Sequence, residues 1–506
     1  MPRLSKSRLP KSRLSKSRLV EFRQCPRRLW LQVNRPELRE DAAATRLAFA
    51  AGHDVGAAAR GLYPDGVLIE PPGGLDEALR LTRELVAGAP PRPLFEATFE
   101  HQGVLVRADL LLPEEGGWTL SEVKSSGSVK GHYLEDVAIQ RWVLEGAGVK
   151  PKRVELWHLD TGWTYPGGGR YEGLLVRNDL DAATRGLAKE VPAWVAGASG
   201  VLAGGEPGVA MGEQCASPFT CPFAAHCAAQ EGPQPDYPVT LLPSNAGRQL
   251  AARLKTEGYR DLREVPAEFI TEPDLALIAR VTREAEPWLD PVAGRMVRAL
   301  PFPRAYLDFE TVGFAVPVWP GTRPWQQLPF QWSCHVEHAD GRLEPLEFLD
   351  LSGADPSRAC AEALARSIPS EGVVIAYNAG FERNVINQLA QRFPDLAEPL
   401  TRIAQRLFDL LPVVRNHYYH RDMRGSRSIK SVLPTIGAGL DHASLGEVQD
   451  GTAAQAAYAE CIAPATAPAR RRELEEGLRR YCAMDTLGLV ELARFLARAG
   501  DAGQAA

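Results

Sequence analysis

Gly103-Val-Leu-Val-Arg-Ala-Asp109-Leu-Leu-Leu-Pro113, followed by Trp118-Thr-Leu-Ser-Glu122-Val-Lys124, decides how the first half of this chain is read. Two apolar runs flank a gap from Pro113 to Gly117, which predicts two antiparallel strands joined by a turn. Side chains alternate across a strand, so Glu122 and Lys124 share one face while Val123 points into the core. Asp109 on the partner strand can meet that face. Two carboxylates there suit Mg²⁺ or Mn²⁺, and the ammonium suits an attacking water or the charge developing on a phosphoryl group. Arginine could not replace Lys124, because its planar fork is not a compact point charge. In the helix expected next, Tyr133 to Glu145, apolar residues recur at helical spacing and Gln140 comes within reach of the same face.

The cysteines widen the reading outward from that hairpin. The chain has eight, too few and too scattered for a disulfide framework in a reducing compartment. Cys334, Cys360, Cys461 and Cys482 lack ligand spacing and read as small core residues. Cys215, Cys221 and Cys227 stand six apart, and Cys25 lies far upstream in Gln24-Cys25-Pro26-Arg-Arg28. These four can surround one centre only if the intervening chain folds back on itself. Thiolates favour iron–sulfur clusters or zinc. The wide gaps, with proline after both Cys25 and Cys221, point to a 4Fe–4S cluster, with zinc as the alternative. Such a centre would clip the two ends of a domain together. His226 is a further candidate ligand.

Leu14-Ser-Lys-Ser-Arg-Leu, Gln24-Cys25-Pro, Asp109, Glu122-Val-Lys124, Gln140 and the cysteine trio together resemble the RecB-like PD-(D/E)XK nucleases. The closest likeness is to the iron–sulfur exonucleases of CRISPR adaptation modules. The resemblance implies a restriction-endonuclease-like fold over residues 14–235, with Asp109 and Glu122 as metal ligands and Lys124 and Gln140 as catalytic residues. It also implies a further upstream ligand, for which His53 is the best match and Glu96 the rival. Trp142 departs from the tyrosine usual after the glutamine.

Beyond the Pro-rich stretch 231–238, residues 236–301 are amphipathic and predict a helical connector. Within it, Leu254 to Leu262 is similar to one turn of a helix–hairpin–helix, although a plain spacer has the same pattern. Arg304-Ala-Tyr-Leu-Asp308-Phe-Glu310 then predicts a strand with two carboxylates on one face, beside a strand at Phe330 to Glu337 and a short buried one at Val373 to Tyr377. Tyr481 and Asp485, four apart on a helix, share a face. Three or four carboxylates from separate segments can hold two metal ions, and the Tyr481 phenol can orient water.

This second half, residues 302–497, resembles the DEDD exonucleases of the DnaQ-like, RNase H-like group, in the variant with tyrosine before the last aspartate. The resemblance implies Asp308, Glu310, Glu382 and Asp485 as metal ligands and Tyr481 as catalytic; Glu382 stands where the group has aspartate. The stretch Leu307 to Trp332 also resembles a bacterial family described as domain of unknown function 2779. Arg415, Tyr418, Tyr419 and Lys430 interleave cations and aromatics as single-strand binders do.

The fold class expected is therefore α/β multidomain: a PD-(D/E)XK domain, a helical connector, and an RNase H-like domain with a mixed sheet. At 506 residues the chain exceeds one core, and its 45% hydrophobic and 24% charged content is ordinary for a globular protein. The net charge of −5 excludes a surface that attracts nucleic acid everywhere, not a local basic groove. Residues 1–13 read as a basic extension, carrying Leu-Ser-Lys-Ser-Arg-Leu at 4–9 that recurs at 14–19, and 498–506 as a tail. No apolar run reaches bilayer length and the N-terminus lacks a secretory core segment, so a cytoplasmic location without membrane partners is expected. The expected function is a two-site DNA exonuclease on single-stranded ends. RNA processing is the first alternative, and a non-catalytic iron–sulfur scaffold that binds nucleic acid the second.

Overall fold

The computed structural model describes residues 13–41, 43–440 and 445–500. The Leu-Ser-Lys-Ser-Arg-Leu copy at 4–9 and the last six residues lie outside them. The chain divides into two compact units, Met1–Pro233 with Phe314–Gln326, and Gln234–Gly313 with Gln327–Ala506. Both are α/β with mixed sheets. Among the described residues no helix is long and apolar enough to cross a membrane.

In the first unit, β1 (Leu14–Ser15) leads into α1 (Lys16–Gln24) and α2 (Pro26–Asn34), then α3 (Ala43–Gly61), β2 (Val67–Leu68) and α4 (Leu75–Ala87). The meander β3 (Leu94–His101), β4 (Val104–Glu114) and β5 (Gly117–Lys124) follows. Helix α5 (Gly131–Gly146) crosses over to β6 (Arg153–Leu159), which pairs parallel with β5. The unit closes with β7 (Leu175–Asp179), α6 (Asp181–Leu187), α7 (Val191–Ala203) and α8 (Ala224–Gln230). The sheet order is β2-β3-β4-β5-β6-β7, with β1 parallel on the start of β4. Apolar Val137, Ile139, Val143 and Leu144 bury α5 against Val106, Leu120 and Leu156 of the sheet. The reversal between β4 and β5 is only Glu115-Gly116, tighter than expected, because Gly116 takes φ +69.

The second unit begins with α9 (Ser244–Thr256), α10 (Pro273–Glu284), β8 (Trp288–Leu289) and α11 (Pro291–Arg298). Then come β9 (Arg304–Val312), β10 (Leu328–Glu337), β11 (Leu343–Leu349), α12 (Ser357–Ser367), β12 (Val373–Ala376), α13 (Gly380–Arg392), α14 (Ala397–Gln405) and β13 (Leu407–Asp409). The remainder is α15 (Leu410–His417), β14 (Tyr418–Tyr419), α16 (Ile429–Val432), α17 (Gly451–Ile462) and the long α18 (Pro468–Ala497). The five-stranded sheet runs β11-β10-β9-β12-β13: the first three strands are antiparallel, and β12 and β13 continue parallel to β9. Residues 236–301 do not stand apart as a connector. Their Leu254, Leu262, Ile278 and Val281 share one core with Tyr306, Ile375, Val490 and Leu492.

Candidate active sites and cysteine centre

The β4–β5 hairpin and α5 bring the acidic groups of the first unit together. Asp109 accepts a hydrogen bond from Val123 N at 2.8 Å, which ties its carboxylate to the strand carrying Glu122. Glu122 is 2% exposed, yet its oxygens are fully engaged. Oε1 receives Lys124 Nζ at 2.5 Å and Lys16 Nζ at 2.8 Å, and Oε2 receives Gln140 Nε2 at 2.7 Å. Lys124 also reaches Asp136 Oδ2 at 2.5 Å and lies over the Tyr133 ring. Sequence reasoning assigned no role to Lys16 or Asp136. Asp136 carries a faint signal, standing four residues before Gln140 on the same helical face; Lys16 carries only its place in the Leu14-Ser-Lys-Ser-Arg-Leu stretch of the resemblance.

The electrostatics of this cluster are sharply divided. Burial and the neighbouring Glu122 push the Asp109 carboxyl up to about 8. Burial acts on Glu122 in the same sense, but Lys124 and Lys16 outweigh it and hold that carboxylate well below its usual range. A cavity of about 290 Å³ opens on the group, lined by Asp109, Glu122, Lys124, His53, Glu96 and Arg60. His53 and Glu96 thus both reach its wall: His53 from the exposed face of α3, Glu96 from β3.

In the second unit, Asp308 and Glu310 lie on β9 and Asp485 on α18. Each offers an oxygen, and these all lie within 4.8 Å of one another, a spacing that can hold a metal ion. Burial and the neighbouring carboxylates raise Asp308 well above its usual range, and burial with Asp485 pushes Glu310 up to about 8. Burial, then Glu310 and Asp485, drive the Tyr481 phenol far up, so it stays a protonated donor beside Asp485. A cavity of about 400 Å³ is lined by Asp308, Glu310, Gln327, Phe381, Thr452 and Gln455. Glu382, in the first turn of α13, is 3% exposed, and its charge is felt at Asp308. It lies outside the three-oxygen group. Among the described residues its Oε2 has no hydrogen-bond partner, and burial pushes the carboxyl up to about 7.

The expectation that Tyr418 and Tyr419 stack on bases is corrected. They are 1% and 0% exposed, because β14 pairs with β8 and turns both rings into the core. Their hydroxyls serve the fold: Tyr418 bonds Thr435, and Tyr419 accepts from Gly425 N. Arg415 is exposed on α15, apart from any aromatic platform of these two. Lys430 belongs instead with the second site, its Nζ 5.1 Å from the Tyr481 ring centroid and its charge felt at Asp308 and Glu310.

The four separated cysteines come together. Cys25 sits between α1 and α2, Cys221 and Cys227 pack with Leu31 and Phe223, and Cys215 lies against that cluster. Gln24 Nε2 spans the two arms, donating to Gln214 O and Phe219 O, both at 2.6 Å, while Cys221 N donates to Cys215 O at 2.8 Å. Burial raises the Cys227 thiol; nearby Arg27 opposes this, and Cys221, Cys215 and Cys25 add to it. His226 is directed to Gln230 and Glu206. The other four cysteines are fully buried in the core.

A family model described as a domain of unknown function (DUF2779) matches residues 305–428, which supports the resemblance drawn from Leu307 to Trp332. No curated protein matches the chain.

Proposed function

We propose that this chain is a metal-dependent nuclease with two active sites, most simply a DNA exonuclease acting on single-stranded ends. The observation that carries the reading is the convergence of Asp308, Glu310 and Asp485 oxygens within 4.8 Å, beside the Tyr481 phenol. Three carboxylates forced so close raise one another's proton affinity, and such a group is tolerable when ionised mainly in the presence of a cation. The antiparallel trio continued by two parallel strands supports the RNase H-like reading of this unit. The β3–β4–β5 meander, crossover α5 and parallel β6 support the PD-(D/E)XK reading of the other.

Asp308, Glu310 and Asp485 would hold Mg²⁺ or Mn²⁺ in the second site, and Asp109 and Glu122 in the first. Bound there, the ions would supply Lewis-acid activation of water and stabilisation of the leaving oxygen. The chain's own groups do the rest. Tyr481 presents a phenolic hydrogen to orient water at the second site. At the first, Lys124 offers positive charge at the cavity wall, and Gln140 fixes the rotamer of Glu122. Cys25, Cys215, Cys221 and Cys227 would hold a 4Fe–4S cluster. A single zinc ion is the alternative for the same four thiolates.

Digestion of end-labelled single-stranded DNA and RNA with Mg²⁺ or Mn²⁺ tests the function. We expect metal-dependent shortening of DNA, reduced in part by Asp109→Ala and in part by Asp308→Ala and abolished in the double variant. Cleavage of RNA alone would transfer the reading to RNA processing. No cleavage of either polymer would leave a binding scaffold.

A further inference from the structure

Lys16 opens α1, and its backbone is fixed from both sides. Leu14 and Ser15 pair with Val104 and Leu105, the Ser15 hydroxyl caps α1 by accepting from Arg18 N, and Leu14 and Leu19 are buried. The ammonium therefore arrives at a defined place, 2.8 Å from Glu122 Oε1 and 3.3 Å from Asp136 Oδ1. Lys124 touches the same Glu122 oxygen and the other oxygen of Asp136. Two ammonium and two carboxylate groups alternate around a ring whose lysine side chains are only 20% and 21% exposed. Lys124 lines the cavity and Lys16 does not.

That asymmetry separates their roles. With both lysines present, Glu122 and Asp136 each have a second cation besides Lys124. With Lys16 gone, two buried carboxylates compete for one ammonium, and charges in such surroundings are costly to leave unpaired. Lys124, already 2.5 Å from an oxygen of each, would then be their only cation and be held toward them at the expense of the cavity, and one negative charge would stand uncompensated beside Asp109. We propose that Lys16, brought in by the N-terminal Leu14-Ser-Lys-Ser-Arg-Leu19 segment, is a positioning residue of the first site: it neutralises half of the Glu122–Asp136 pair and so keeps Lys124 at the cavity. The proposal rests on the nuclease reading of that cavity.

The test uses the full chain carrying Asp308→Asn and Asp485→Asn, which silences the second site. Lys16→Met, of similar length but uncharged, and Lys16→Arg, which keeps the charge, are compared in that background. Cleavage of labelled single-stranded DNA is measured under single turnover at saturating Mg²⁺, and binding of Mn²⁺ alone by electron paramagnetic resonance. Lys16→Met should cleave at least roughly tenfold more slowly with KM within about twofold, as expected of misplacement at a reacting centre. It should also bind Mn²⁺ roughly tenfold more tightly, because an uncompensated charge a few ångströms away attracts the cation. Lys16→Arg should return Mn²⁺ affinity to within about threefold of the parent, which a merely structural role would not require. Parental cleavage by Lys16→Met, a loss confined to KM, or unchanged Mn²⁺ affinity would overturn the proposal. If the parent itself does not cleave, the nuclease reading fails, while the Mn²⁺ comparison still decides whether Lys16 balances this charge.

Discussion

Glu96 holds a backbone φ of +55 inside β3, at the position facing Asp109 between the paired Phe95↔Leu110 and Ala97↔Ala108. A side-chain-bearing residue in that region costs on the order of 1 kcal/mol, and such strain gathers where a side chain must be aimed. Glu96 is aimed at the cavity that holds Asp109 and Glu122, and burial raises its carboxyl. We propose it as the further ligand ahead of His53, which the sequence resemblance put first and which lines the same cavity. Glu96→Gly should raise the melting midpoint of the first unit by roughly 2–4 °C while slowing its cleavage, and His53→Ala should leave both nearly unchanged. Parental cleavage by Glu96→Gly would remove Glu96 from the site. A second residue, Glu21 on α1, sets a pH dependence. Burial pushes its carboxyl up to about 7, partly offset by Arg28, Arg39 and Arg18, and among the described residues its Oε2 has no hydrogen-bond partner. The folded chain keeps a proton that the unfolded chain releases near pH ~4.3. Stability from this group is therefore complete below about pH 4 and is lost as pH rises through about 7. Glu21→Gln should melt with the parent at pH 4 and above it at pH 8; equal midpoints at both would refute the burial of that charge.

At the scale of elements, the four cysteines bring the α1–α2 junction to the segment that leads into α8 and to α8 itself, across nearly the whole first unit. Hydrogen bonds from Gln24 and the buried Arg27, which reaches Glu206 at 2.7 Å, brace the same junction. Cys25→Ser should abolish any absorbance near ~400 nm in anaerobically purified protein and lower the first melting transition while sparing the second. Stoichiometric zinc in the parent would replace the cluster by a single ion. Much of this was legible in the sequence, for a local reason: period-two alternation in β4 and β5 and helical spacing in α5 place Asp109, Glu122, Lys124 and Gln140 without any long-range information. Carboxylates two apart on β9 and Tyr481 with Asp485 on α18 are legible for the same reason. What stayed hidden depends on distant partners. Lys16 lies in a repeated basic phrase that looks the same in a tail and in a helix start. Tyr418 and Tyr419 sit among cations whether they stack on bases or fill a core, and only pairing with β8 decides it. Phe314–Gln326, between β9 and β10, has no period of its own, since its partners are some 150 residues upstream around Tyr165.

That segment also governs how the whole molecule is divided, because neither unit is a continuous stretch of chain. Within the first unit, Gly321 N donates to Tyr165 O at 2.8 Å and Tyr165 N donates to Thr322 O at 2.9 Å, a reciprocal backbone pair. The Trp325 indole donates to Ser125 O at 2.7 Å, one residue beyond Lys124. Ala315, Trp319 and Thr322 are buried, and Ala315 shares a cluster with Val55, Leu159 and Leu174. A large buried aromatic contributes roughly 2–3 kcal/mol, and each net hydrogen bond about 1 kcal/mol, so losing the segment should cost the first unit several kcal/mol in all. A fragment ending at Pro233, where the two units part, should therefore melt well below the first transition of the full chain. Its first site should also be slower than that of the full chain carrying Asp308→Asn, because the strand end bearing Lys124 loses its Trp325 partner. Adding a synthetic peptide of residues 314–326 should raise both values in a concentration-dependent way, as any ligand of the folded state does. If the fragment matched the full chain in midpoint and rate, and ignored the peptide, the first unit would be complete in the N-terminal stretch alone. The 13 residues Phe314–Gln326 would then be only a loop of the second unit.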